Sequence, residues 1–141
     1  MQVVFYQLGI VAESNLYYAV IAARQGGKWL FVQEKGETTW EMPAGRRKLG
    51  ESILETAKRE LFEETGALTY TLREICDYSV TEGETRYGRL FFAEVKKRGP
   101  LPDLEIARLD LRKDLPSQLT YPLIQPLLFA KIRKKLAEPG R

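Results

Sequence analysis

Between Gly45 and Ala67 the chain reads GRRKLGESILETAKRELFEETGA, and this stretch sets both a local structure and an electrostatic problem. Ser52 followed three residues later by Glu55 is a capping box, in which each side chain satisfies an orphan N–H at a helix start. Gly66 stands where a helix C-terminus takes a left-handed residue. Inside the helix so bounded, Glu60 and Glu64 are four apart and Glu63 is three from Glu60. Three carboxylates therefore project from adjoining positions of one face. Like charges at that spacing destabilise a helix by roughly 0.2–0.5 kcal/mol per pair, and Glu63 and Glu64 lie near the negative pole of the helix dipole. Two readings fit the cluster: a solvated acidic face, or a site for a hard divalent cation, whose preferred ligands are oxygens.

Composition narrows the chemistry. The chain has no histidine, which excludes His-ligated zinc, a Ser-His-Asp triad and any imidazole acid or base. Carboxylates, Lys, Arg, Tyr or a metal must carry whatever reaction occurs. The single cysteine, Cys76, cannot form an internal disulfide and reads as a small buried hydrophobe. Met1–Ser14 lacks the basic start of a signal peptide, and no apolar run approaches the ~18–20 residues that span a bilayer. The expectation is a cytoplasmic protein without a membrane partner. At 141 residues, 44% of them hydrophobic and 29% charged, residues 1–141 are expected to form a single globular domain. A net charge of +3 is compatible with a polyphosphate substrate.

Taken in order, Val3–Glu13 predicts a first strand. Tyr17–Ala23 and Trp29–Gln33 predict a hairpin turning at Gly26-Gly27. Pro43 keeps the Trp40–Gly45 approach extended, with Trp40 packed beneath the loop. Thr69–Thr71, Ile75–Val80 and Arg86–Val95 predict strands, Lys96–Pro102 a loop, and Leu109–Leu115 an alternating segment. Pro122–Ala137 predicts a C-terminal helix that Pro126 either kinks or begins, followed by a frayed tail at Glu138–Arg141.

The spacing of Gly45, Glu51, Arg59, Glu60, Leu61, Glu63, Glu64, Gly66 and Ala67 resembles the signature of the Nudix (MutT-like) hydrolases, with Ala67 smaller than the usual Ile, Leu or Val. Seven fixed positions at ordinary residue frequencies give a chance match on the order of one in a million, so the resemblance outweighs the solvated-face reading. It implies an α/β (α+β) fold, a mixed β-sheet sandwiched between α-helices. It also implies hydrolysis of a phosphoanhydride in a nucleoside-diphosphate-linked compound with Mg2+ or Mn2+. The metal ligands implied are the Gly45 carbonyl, Glu60, Glu63 and Glu64. Arg59 is implied to orient a glutamate, with Glu51 as its partner; the alternative is an ordinary surface ion pair. The general base is left open among Glu64, Glu60 and, later in the chain, Glu105. Lys35, Arg46, Arg86 and Tyr87 are candidates to meet phosphate or base.

The leading expectation for the substrate is a nucleoside or deoxynucleoside triphosphate, oxidised purines included, cleaved to the monophosphate and pyrophosphate. The compact chain favours this, whereas Ala44 in the Pro-Ala-Gly loop resembles the ADP-ribose-type branch. Nucleotide sugars and the 5′ end of RNA, guided by Lys96–Arg98 or Lys131–Lys135, are the other substrates considered. A non-catalytic nucleotide-binding module is the rival of a different class. A second copy of the chain, in a homodimer, is the remaining partner considered.

Overall fold

The computed structural model describes residues 1–139, and its architecture follows from one strand. In β2 (Leu16–Gln25), Ala19, Ile21 and Ala23 face one core, whereas Val20 and Ala22 face another. A strand apolar on both sides belongs in the middle of a covered sheet. The first core joins β2 to Ile53, Ala57 and Leu61 of helix α1 (Ile53–Thr65). The second joins it to Leu128, Phe129 and Ile132 of helix α2 (Gln125–Ala137). The sheet is thus sandwiched between the helices, as the sequence predicts.

Among the described residues, seven strands form the sheet. Beyond β2 they are β1 (Gln2–Tyr6), β3 (Lys28–Glu34), β4 (Ala44–Arg46), β5 (Ala67–Glu82), β6 (Glu84–Arg98) and β7 (Ile106–Arg112). The order is β1-β5-β6-β2-β3-β7, with β4 paired to β2. The β2–β6 pair is parallel and the others are antiparallel, so the sheet is mixed.

The feature that positions the site is a wedge. β2 and β3 pair only next to their turn, at Arg24–Trp29 and Gln25–Lys28, and then part. Residues 41–46 fill the gap: Val32 N donates to Glu41 O at 2.8 Å, Ile21 N donates to Pro43 O at 2.8 Å, and β4 pairs with Tyr18–Val20. The loop that begins the acidic stretch is thereby stitched between two strands, directly beneath α1.

Several expected boundaries move for reasons of pairing. β1 ends at Tyr6, and Glu13–Asn15 is a short 3-10 turn rather than strand. Buried Asp77 holds the intervening loop by accepting from Gly9 N (3.1 Å) and Val11 N (3.0 Å). The two runs expected after α1 are one continuous strand, β5, because β6 opposes it along its whole length. For the same reason Lys96–Arg98 is strand, not loop, with Lys97 opposite Thr69 and Arg98 opposite Ala67. β7 lies at Ile106–Arg112 instead of Leu109–Leu115, in register with Trp29–Glu34. α2 starts at Gln125 with Pro126 in its first turn, where a missing N–H is harmless. Of the tail expected to fray, Glu138 N donates to Lys135 O at 3.3 Å, while Gly140 and Arg141 lie outside the described residues. Cys76 is buried, and that burial pushes its thiol up to about 11.

Candidate active site

The start of α1 is held from three sides. Ser52 Oγ accepts from Glu55 N (3.1 Å), and Glu55 Oε1 accepts from Ser52 N (2.8 Å). Glu13, from the loop before β2, accepts from Ile53 N at 2.7 Å. The helix ends at Gly66, φ +76°, where an added Cβ would come 2.7 Å from Pro100 O and 2.8 Å from Gly99 O. Both its conformation and the close approach of that loop require glycine.

Arg59 is the hub of the polar surface between these ends. Its Nε donates to Glu51 Oε2 at 2.7 Å and its Nη2 to Glu51 Oε1 at 3.0 Å, the two-pronged geometry that only a guanidinium supplies. Nη2 also donates to Arg46 O (3.0 Å), while Nη1 donates to Glu60 Oε1 (2.5 Å) and Glu63 Oε1 (3.4 Å). The Arg59 guanidinium beside Glu51 holds that carboxyl down to about 2, helped by Thr56 Oγ1 and Lys48 N. With side chains 20% and 15% exposed, this is no loose surface pair. Arg59→Lys keeps the charge but cannot serve five acceptors at once. It is expected to lower turnover about ten- to a hundredfold, as loss of a ligand-orienting partner does, with a smaller change in KM. Steady-state kinetics would check this.

Glu64 is only 4% exposed. Its Oε1 accepts from Ala44 N at 3.0 Å, and the Glu60 carboxyl is near enough to raise the cost of ionising Glu64. Neighbouring carboxylates of this kind favour a shared proton or a cation between them. Burial, opposed by the Ala44 N–H and reinforced by Glu60 and Glu41, pushes Glu64 up to about 9. Burial also raises Glu60, against the pull of Arg59. An added Cβ on Gly45 would overlap the Glu60 carboxyl, so the loop backbone runs directly against the acidic pair. All the potential ligands are oxygens, which suits a hard divalent cation. Among the described residues no three acidic side chains converge on one point. The structure brings Glu60 and Glu64 together and leaves Glu63 turned toward Arg59.

The pair opens into a cleft of about 730 Å³. Gly45, Arg59, Glu60, Glu64 and Glu105 line it, and Val20, Tyr78, Val80, Ile124, Gln125 and Leu128 add a mostly apolar part of the wall. Arg46 and Arg86 stand on the rim, their guanidinium carbons 5.8 Å and 4.3 Å from the Tyr17 ring centroid. Two of the candidates for substrate contact are not brought there. Lys35 lies outside the lining, its Nζ paired with Asp103 at 2.7 Å. Tyr87 packs with the core under α1, its ring 6.4 Å from that of Tyr6, because strand alternation sends it to the face opposite Arg86.

Two lining residues escaped the sequence reading. Glu41 is 6% exposed, and burial next to Glu34 pushes it up to about 7. A charge between Trp40 and Met42, both apolar, was the available signal. Gln125 is 3% exposed, with its Oε1 accepting from Met42 N at 2.8 Å. Nothing local marks it.

Comparison with known proteins bears on the family and the fold. A family model described as the NUDIX domain matches residues 15–116. YtkD of Bacillus subtilis, provisionally named an 8-oxo-dGTP diphosphatase, is 33% identical over 78 residues, covering 55% of this chain and 49% of YtkD. The phosphatase NudJ of Escherichia coli K12 is 48% identical over 42 residues, 28% of each chain. The matches thus span about half the length of the first relative and less of the second. The crystal structure of the B. subtilis pyrophosphohydrolase BsRppH superposes with a TM-score of 0.77 at 21% identity, covering 94% of this chain and 90% of that one. That likeness speaks for the fold.

Proposed function

The chain belongs to the NUDIX family, and from that premise we propose that it is a metal-dependent pyrophosphohydrolase acting on nucleoside-diphosphate-linked substrates. Nucleoside triphosphates, oxidised purines among them, are the favoured class. One observation carries this reading: the buried Glu64 and the half-buried Glu60, whose carboxyl lies against the backbone of Gly45, line one nucleotide-sized cleft together. The name given to YtkD supports the substrate class.

Glu60, Glu64 and the Gly45 carbonyl would hold Mg2+ or Mn2+, with Glu63 beside them. Bound there, the ion supplies neutralisation of the phosphate oxygens and acidification of a water. The chain itself does the rest. Arg59 locks Glu60 and Glu51 in place, so the pair is aimed before substrate arrives. Arg46 and Arg86 meet the outer phosphates from the rim. Glu105, within the cleft, takes the proton from the attacking water.

Products distinguish the substrates. Phosphorus-31 NMR across a nucleotide panel is expected to show pyrophosphate and a monophosphate from triphosphates. AMP with ribose 5-phosphate from ADP-ribose, or pyrophosphate only from 5′-triphosphorylated RNA, would reassign the substrate. Binding without any turnover in Mg2+ or Mn2+ would make the chain a sensing module.

Two buried carboxyls of the cleft, Glu64 and Glu41, set a pH dependence. Folded, Glu64 and Glu41 keep their protons up to about 9 and 7, against a usual 4.5. Between those values the folded chain binds more protons than the unfolded one, so stability falls as pH rises. The melting temperature of the metal-free protein is therefore expected to be lower at pH 8.5 than at pH 6. Magnesium, by displacing the proton, should raise it more at pH 8.5 than at pH 6. Calorimetry with and without EDTA checks both signs.

A further inference from the structure

Gln125 is almost wholly buried yet lines the cleft. The Met42 N–H donates to its Oε1 at 2.8 Å, which decides which end of the amide is which. The other end, Nε2, has no partner among the described residues. Every described side-chain N or O sealed from solvent has a partner, so Nε2 must keep an open face, and the open space that Gln125 borders is the cleft. A donor so placed is met by solvent in the open cleft and is free to donate to an acceptor on a bound molecule.

An acceptor borders the same cleft. Glu41, which immediately precedes the Met42 that Gln125 holds, is itself buried and lines it. Val20, Leu128 and Tyr78 add apolar walls. The Tyr78 ring lies against Gly88, where an added Cβ would come 2.5 Å from its hydroxyl. An apolar slot with a few placed polar groups is the form of a small-molecule subsite, and here the polar groups are one donor and one acceptor.

We propose that the part of the cleft lined by Gln125 and Glu41 selects nucleobases presenting a ring carbonyl beside a ring N–H, with Gln125 Nε2 donating to the carbonyl and Glu41 accepting from the N–H. Guanine and hypoxanthine present that edge at O6 and N1–H, uracil and thymine at O4 and N3–H. Adenine and cytosine present an amino group and a bare ring nitrogen instead, so donor would face donor and lone pair would face carboxylate. The inference rests on the reading of the cleft as a nucleotide site.

Calorimetric titration with IMP and AMP at pH 8 in magnesium tests it, because the two differ only at that edge. IMP is expected to bind at least about tenfold more tightly, the scale of one good base-edge pair. Gln125→Glu retains an acceptor for the Met42 N–H but removes the donor. It should bring the ratio to within about twofold, chiefly by weakening IMP. A matching preference for UMP over CMP supports the rule for pyrimidines as well; IMP selectivity without pyrimidine binding supports it for purines. Equal affinity for IMP and AMP in the parent protein, binding of neither, or equal weakening of both by Gln125→Glu overturns it. These are binding measurements, so a protein that selects IMP but cleaves no anhydride keeps this inference and loses the hydrolase reading.

Discussion

Glu64→Gln is expected to lower turnover by at least about a hundredfold while leaving the metal-free protein at pH 8 as stable as its parent, or more so. The two halves of that result have one cause. Glu64 lies buried against Glu60, with its Oε1 accepting from Ala44 N at 3.0 Å. The amide keeps that acceptor, and its new N–H donors can satisfy the Glu60 carboxylate without a borrowed proton. Repulsion and the penalty of ionising a buried acid both disappear. What disappears with them is the anionic oxygen offered to a divalent cation, whose charge stabilisation of the reaction is worth several kcal/mol. Steady-state kinetics with thermal melts at pH 6 and 8.5 would read both. In the melts, the parent's loss of stability with rising pH should shrink in the variant. Turnover within threefold of the parent would remove the pair from the chemistry.

Gly45→Ala should be nearly as damaging, by geometry instead of charge. Gly45 does not adopt a positive φ, so alanine fits its backbone. The added Cβ nevertheless falls on the Glu60 carboxyl, the far end of a flexible side chain that can swing away at little cost to the fold. Moving it separates Glu60 from Glu64 and from Arg59 Nη1. A displacement of about an ångström at a reacting group can cost on the order of a hundredfold, and that is the fall expected here, with a melting temperature within a few degrees of the parent. Kinetics on the purified variant, next to its melting curve, separates this from unfolding. A fully active variant would mean that Glu60 is free to work from elsewhere.

What could be read in advance follows from how far each signal reaches along the chain. Helix α1 was legible because its determinants are local: Ser52 and Glu55 cap it, Gly66 ends it, and Leu61 and Ala57 repeat at core spacing. The covered sheet was legible from apolar runs such as YYAVIAA. Strand lengths were not, since β5 and β6 extend as far as each supports the other, and Lys96–Arg98 looks like a loop until Ala67 and Thr69 are placed opposite. Which way a side chain faces is also set by tertiary register. Arg86 reaches the rim of the cleft, whereas Tyr87, one residue on, turns into the core. Gln125 depends on a backbone N–H 83 residues away, a distance no local pattern spans. The acidic cluster itself was visible, but its depth was not: the exposed face that its spacing allows is instead a nearly buried Glu64 and a half-screened Glu63.

Whether that buried pair grips a cation against a diphosphate is open to direct observation. Crystals grown with Mn2+ and a non-hydrolysable nucleotide, measured at the manganese absorption edge, locate the metal by its anomalous signal. The expected map has a peak within bonding distance of the Glu60 and Glu64 carboxylates, between them and the nucleotide's phosphates. A map with nucleotide in the cleft, no anomalous peak at those carboxylates and the two still joined by a shared proton would contradict the assignment.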